Sequence, residues 1–462
     1  MVHPIDKRYL VRELVPFISD EAFLGYKLRV EAAHAKALAK HGVCPIEVAS
    51  EIEEKARIET VKPSEVESME KALRHDIRAM VETLASKVSD RAKPYVHLGL
   101  TSYDVVNTAQ VLMIRDATYD VILPDMTSLL EKMVDIAVRE RSTVQIGRTH
   151  GQHAEPTTFG KEMAVFVDRW GRDIERVIEA VDGLRGKAGG AVGTKASLSL
   201  LGDPDEIERT MMNELGIEPA TIATQIVPAE DLTNYFAQIT IAFGTLADMA
   251  NSMRHLQRSE IAEVLEHFEA RQIGSSTMPQ KRNPISWENI ISQYRAVMPH
   301  IVTSLLNIES DHQRDLRDSA ANRYLIAEVL DAFDYSVTRS RETLSKIVVD
   351  GDAMKRNLQL DGGSYLAEPA YIILALSGVP NAHEYVRKLV VKSRNERKSL
   401  SEVLLSDATF QEAVEKLPPE TKAVLSSPDK YIGSSEKLVD QVTSHWRSKV
   451  AVIKRRMTQR RS

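Results

Sequence analysis

Residues Gly274–Pro284, read Gly-Ser-Ser-Thr-Met-Pro-Gln-Lys-Arg-Asn-Pro, set two hydroxyls (Ser275, Ser276), an ammonium (Lys281) and a carboxamide (Asn283) among backbone breakers. Pro279 and Pro284 fix φ and stop an α-helix from running through. A turn between helices needs only a Gly or Pro and a few polar residues. This density of rigidity and polar groups suits a binding or catalytic loop held by rigid neighbours. Three further clusters share the character. Arg74-His75-Asp76 lies among Leu73, Ile77 and Met80 at helical spacing, compatible with a site or with a satisfied polar position on a helix face. His97-Leu-Gly-Leu-Thr-Ser-Tyr-Asp104 ends one element at Gly99 and begins another, where Thr101 or Ser102 can cap a helix with Asp104 in its first turn. Free N–H groups beside hydroxyls at a helix start favour an anion; ordinary capping explains the same residues, and His97 also suits simple packing. The segment 147–160 places Arg148, Thr149, His150 and His153 in a Gly- and Pro-bounded loop feeding a helix.

Metal chemistry finds little support. His150 and His153 stand three apart without a Cys partner or a His-Glu-x-x-His pattern. The Gly-rich run Gly186–Gly193 lacks the Gly-Lys-Ser/Thr ending and the preceding strand of a phosphate-cradling loop, so it reads as a sharp turn or a close backbone approach.

The elements that must position these groups are helices. The chain has 462 residues, 43% apolar and only 5% aromatic, and the dominant Ala, Leu, Glu, Lys and Arg are good helix formers. Helical patterns run from Glu21 to about Val88, with breaks near Gly42–Pro45 and Lys62–Ser64, and from about Asp104 to Glu140, with Pro124 a candidate kink. Between Asp231 and His267, Leu232, Phe236, Ile239, Phe243, Leu246, Ala250 and Met253 form a heptad stripe. A helix over that whole span would be ~55 Å long and suits a bundle, including one shared between subunits. Ile285 to about Glu309 is helical again, then a charged cluster at 311–323 precedes a helix to about Val348. Shorter helices follow Gly362-Gly363. The expected fold is all-α, with domains at 1–103, 104–348 (a long central bundle) and 349–462.

The net charge of −6, small for a chain of this size, argues against a general nucleic-acid binder and leaves room for local basic pockets. One cysteine, Cys44, allows no intrachain disulfide framework. No stretch has signal-peptide character or the ~18 apolar residues of a membrane span. A cytoplasmic protein is the expectation.

Three polar loops at helix junctions of an all-α chain resemble the fumarase/aspartase superfamily, whose signature Gly-Ser-Ser-x-Met-Pro-x-Lys-x-Asn-Pro is matched by Gly274–Pro284 at every defined position. Within it the chain is similar to the adenylosuccinate lyases. The matching motifs are His3-Pro-Ile-Asp-Lys-Arg-Tyr9, Arg74-His-Asp76, the run from His97 to Asp104, the loop 147–160, Gly190-Ala-Val-Gly-Thr194, Gln225 before Val227-Pro228, and the Arg314-Asp315, Ser319, Arg323 cluster. The resemblance covers residues 3 to about 323. It departs at Tyr103, where the family usually has a small hydroxyl residue, at Ala229-Glu230, and at His312-Gln-Arg-Asp315.

The resemblance implies β-elimination of fumarate from adenylosuccinate, giving AMP, and from the succinylated aminoimidazole carboxamide ribotide, in purine nucleotide biosynthesis. It implies Ser275 as the base, His150 as the acid, His75 supporting the site and Glu288 pairing with the acid. Lys281 and Asn283 would hold the succinyl carboxylates with Thr101, Ser102 and Thr149, and Gln225, Arg74, Asp76 and His97 would contact substrate. Arg8, Tyr9, Arg314, Ser319 and Arg323 match the family's phosphate contacts, and Arg with Ser is sound chemistry for a phosphate in any fold. A homotetramer with sites shared between subunits, and no cofactor, is implied. Argininosuccinate lyase and carboxymuconate cycloisomerase are the alternatives within the superfamily.

Overall fold

The heptad stripe forms a helix, but a shorter one than its pattern allowed. In the structure, a computed structural model that describes residues 7–269, 277–278, 280–425 and 427–461, the helix is Glu230–Leu256, about 40 Å at 1.5 Å per residue. Phe236, Ile239, Phe243, Leu246, Ala250 and Met253 are all buried. Beyond Leu256 the apolar period stops, Ala262 takes a positive φ, and Val264–Leu265 pairs antiparallel with Val348–Val349.

The expected long helix from Asp104 is likewise resolved into parts: Ser102–Ala117, a π-helical turn Thr118–Ile122, and Leu123–Arg139. Pro124 has no N–H to give to the preceding turn, and the wider turn just before it absorbs the mismatch without ending the rod. Pro299 separates Ile285–Val297 from His300–Leu306. The longest described helix, Arg317–Ser345, begins inside the charged cluster at 311–323 instead of after it, with Asp318 in its first turn. Among the described residues strands occur only as two-stranded ladders, so the all-α expectation holds. No helix of the described residues is long and apolar enough to cross a membrane.

The chain divides into two compact units, each assembled from three stretches: 1–126, 172–244 and 292–338 in the first, 127–171, 245–291 and 339–462 in the second. The first holds the N-terminal helices. Ser19 caps Asp20–Lys40, its Oγ accepting from the Ala22 N–H at 3.1 Å. Asp104 is this unit's internal anchor. It is fully buried, pairs with the equally buried Lys187, and accepts from the N–H groups of Thr101 at 2.8 Å and Gly189 at 2.9 Å. The Gly-rich run thus closes backbone over a carboxylate. Gly193, at φ 75°, lies so near residue 223 that a Cβ would come within 1.9 Å of the Ala223 carbonyl oxygen.

A second buried carboxylate in this unit is poorly satisfied. Asp331 Oδ1 accepts from the Val11 N–H at 2.9 Å, while Oδ2 has no partner among the described residues. Burial raises its pKa from 3.8 to about 6. Between those values the folded state holds more protons than the unfolded one, so stability falls as pH rises through that window. Asp331→Asn keeps an acceptor for Val11 and removes the charge. It should raise stability by about 1–2 kcal/mol near pH 8 and by little near pH 4, read from denaturant midpoints.

In the second unit, the Ser435–Arg461 helix buries Trp446 against Gly171, and Trp446 Nε1 donates to Asp168 at 3.2 Å. A separate core gathers Leu366, Ile373, Leu374, Leu400, Val403 and Phe410 from the C-terminal helices and takes in one residue from far up the chain, Ile146.

Candidate active site

Ile146 belongs to a β-hairpin, Val144–Thr149 against Gln152–Thr158, in place of the expected irregular loop. Val144, Ile146, Thr149, Thr157 and Thr158 are β-branched and suit strands. Thr149 pairs with Gln152, leaving His150-Gly151 as the whole connection. Both have positive φ, 54° and 74°, the pattern of a type I′ turn. His150 therefore stands exposed at a strained, well-defined tip. The hairpin is tied down on several sides. Arg148 grips the buried Glu263 through two hydrogen bonds of 3.0 and 2.7 Å, and Asn357 donates to the same carboxylate at 2.8 Å. His153 faces Asp361 at 3.4 Å. Glu155 and Glu368 share a hydrogen bond that raises the pKa of Glu155 and lowers that of Glu368, and the Tyr431 hydroxyl donates to Glu368 at 2.7 Å.

Of the signature loop, Ser275 and Ser276 lie outside the described residues. Lys281 is exposed, its N–H donating to the Met278 carbonyl at 3.0 Å, and Asn283 is half-buried. Glu266 supplies the anchor after it, accepting from the N–H groups of Ser286 at 2.9 Å and Trp287 at 3.1 Å. Burial raises the Glu266 pKa despite these bonds. Glu288 sits exposed in the first turn of Ile285–Val297; among the described residues no hydrogen bond or ion pair joins it to His150. Thr149, His150, Lys281, Asn283 and Glu288 all belong to the second unit.

The first unit gathers most of the remaining candidates around one cavity of about 520 Å³, a size suited to a small-molecule ligand. Arg74, His75 and Asp76 line it, as do Thr101 and Ser102, then Gln225, and then Ser319 and Arg323. First-turn residues of three helices, Asp76–Ala85, Ser102–Ala117 and Arg317–Ser345, are thereby turned to one space. Helix starts carry unpaired N–H groups and positive dipole ends, and three of them with two arginines favour an anionic ligand.

Local structure explains the placement. Arg74 ends Pro63–Leu73 in the left-handed region at φ 54°, and His75 caps the next helix, its Nδ1 accepting from the Arg78 N–H at 3.3 Å. In its neutral form that leaves the His75 proton on Nε2 as a donor. His97 also has positive φ, 60°; its Nδ1 meets Glu31 at 2.6 Å. Burial opposes protonation of His97, but Glu31 outweighs it and its pKa is raised. Positive φ at Arg74, His97 and His150 matches the tendency of backbone strain to collect at functional sites. Tyr9 packs edge-on against Tyr335 at 5.3 Å, with Arg8 6.0 Å over the Tyr9 ring.

Two cavity neighbours were not singled out by sequence. Tyr103 lines the cavity with Arg314 stacked 3.8 Å over its ring. Lys27 lies 4.3 Å over the ring of Phe23, itself a wall of the cavity; burial lowers its pKa, with Asp76 pulling the other way. Tyr103 was marked only as a departure from a motif, and Lys27 carried no signal beyond helical spacing. Among the described residues no group of three or more His, Cys, Asp or Glu side chains is arranged to hold a metal ion.

A family model described as "Lyase" matches residues 15–298, and one described as "Adenylosuccinate lyase C-terminal" matches residues 310–424. Adenylosuccinate lyase of Pyrococcus abyssi is 38% identical over 448 residues, covering 96% of this chain and 98% of that protein. The chain belongs to the adenylosuccinate lyase family. The family's enzyme from Methanocaldococcus jannaschii is 35% identical, with 97% and 96% covered. Among solved structures, a 3-carboxy-cis,cis-muconate lactonizing enzyme from Pseudomonas putida has a TM-score of 0.85 at 25% identity, with 96% and 99% covered. A fumarate lyase from Mesorhizobium has 0.83 at 26%, with 94% and 98% covered. Adenylosuccinate lyase membership therefore comes with a backbone common to the wider superfamily.

Proposed function

We propose that this chain releases fumarate from adenylosuccinate, giving AMP, and from the succinylated aminoimidazole carboxamide ribotide. The observation that carries the reading is the cavity at three helix starts, lined by Arg74, Arg323, Ser319 and Gln225 in a member of this family. Of these, Ser319 and Arg323 belong to the residues matched to phosphate contacts; fumarase-type substrates carry no phosphate and need no such contacts, and the same point argues against a muconate substrate.

In the proposed reaction Ser275, as alkoxide, takes the proton from the carbon beside a succinyl carboxylate. The electron pair left behind spreads onto that carboxylate, where Lys281 and Asn283 offset the charge. The C–N bond then breaks, its pair goes to the nitrogen, and His150 supplies the proton the nitrogen takes. A carbon–carbon double bond remains, and fumarate leaves. His75, from another subunit, assists through its Nε2 proton, and Glu288 pairs with the acid histidine. Homotetrameric assembly with shared sites, a cytoplasmic location, and domains at 1–103, 104–348 and 349–462 go with this reading.

An absorbance assay tests it. Purified protein should cleave adenylosuccinate with kcat in the ordinary range of about 1–10³ s⁻¹, and should leave argininosuccinate and carboxymuconate untouched. A folded protein that spares adenylosuccinate and turns over either comparator would overturn the assignment.

A further inference from the structure

Arg314 is about nine-tenths buried and uses only part of its guanidinium. Its Nη1 pairs with Asp318 at 2.6 Å, whereas Nε and Nη2 are buried without a hydrogen-bond partner among the described residues. Nε and Nη2 share one edge of the guanidinium, the edge that can grip two oxygens of a phosphate or carboxylate side by side. Leaving two buried donors unmet is costly, so the arrangement awaits an acceptor. The Tyr103 ring makes it possible: the guanidinium carbon lies 3.8 Å from the ring centroid. A ring against the flat face attracts the cation without occupying any in-plane N–H. The Tyr103 hydroxyl in turn meets Ser319, and both line the cavity.

The geometry points to Tyr103 as a positioning residue that holds the Arg314 fork ready for the phosphate of the nucleotide, a task for which the family's usual small hydroxyl residue has no ring. This rests on the proposed function and adds to it how affinity for the phosphate end is set.

The test compares Tyr103→Phe with Tyr103→Leu, two variants that fill similar space but differ in having an aromatic face. AMP and fumarate are the probes, as product inhibitors. Tyr103→Leu should raise KM and the AMP inhibition constant about tenfold, the scale of a desolvated cation–π contact. Fumarate inhibition should not change, kcat should move far less than KM, and Tyr103→Phe should keep most of the affinity. In an Arg314→Ala background the Leu substitution should add less than about twofold, because coupled residues are not additive. Equal AMP affinity in the Phe and Leu variants, or a full tenfold loss without Arg314, would overturn the inference. Absence of adenylosuccinate cleavage by the unsubstituted protein would instead defeat the proposed function, and direct AMP titration would still separate the Phe and Leu variants.

Discussion

His150→Asn should lower kcat for adenylosuccinate cleavage by about 10³-fold, within the range that a positioned acid contributes, while leaving the fold intact. The turn makes this substitution informative. His150 and Gly151 both have positive φ, and Asn-Gly is the pair that such a two-residue connection prefers. The variant removes the imidazole without disturbing the hairpin, so its thermal midpoint should equal or exceed that of the parent. His150→Val, branched at Cβ, would confound loss of the acid with strain at the turn. Mixing His150→Asn chains with Ser275→Ala chains should restore part of the activity if each site draws on more than one subunit. Demonstrated co-assembly without recovery would rule out shared sites. Loss of less than about tenfold in kcat would remove His150 from the acid role.

Asp104→Ala should cost about 3–5 kcal/mol, because breaking a buried pair strands the remaining charge. The buried Lys187 ammonium would lose its carboxylate, and the N–H groups of Thr101 and Gly189 their acceptor. Against a typical total of about 5–15 kcal/mol this is a large fraction. Denaturant unfolding measures it directly. Asp104→Ala combined with Lys187→Met should recover a substantial part of the loss, since replacing both partners removes the stranded charge. An Asp104→Ala protein as stable as the parent would show that the Gly-rich run is held by something other than this carboxylate.

Helices and site chemistry were legible to different depths. The heptad stripe marked Glu230–Leu256 because buried apolar residues must recur on one face of a helix; the break near Gly42–Pro45 falls between observed helices, and the one near Lys62–Ser64 marks the start of Pro63–Leu73, with Lys62 as its cap. The end of the Glu230–Leu256 helix was not legible: residues 257–263 contain no Pro or Gly, and the chain turns there because its apolar period ends and a strand pairing begins. The hairpin at 144–158 was missed for the opposite reason. Its Gly and Pro residues suggested a loop, while strand partners so close in sequence need only a two-residue turn. Motifs picked out Arg74, His75, Thr101, Ser102, Gln225, Ser319 and Arg323, yet only tertiary structure could bring them to one cavity. The in-plane edge of Arg314 left free beside Tyr103 is a matter of side-chain angles, which no spacing along the chain encodes.

The way the second unit is assembled has a consequence for how the protein is made. Every stretch of the first unit has been synthesised once residue 338 is joined. The second unit must wait, because Trp446 fills the space that Gly171 leaves open and is made 275 residues later (446 − 171 = 275). During translation the Phe159–Asp182 helix therefore carries an unfilled apolar notch. A ribosome paused after residue 338 but before residue 446 would hold a nascent chain with that notch still open, the kind of transiently exposed surface that invites chaperones or misassembly.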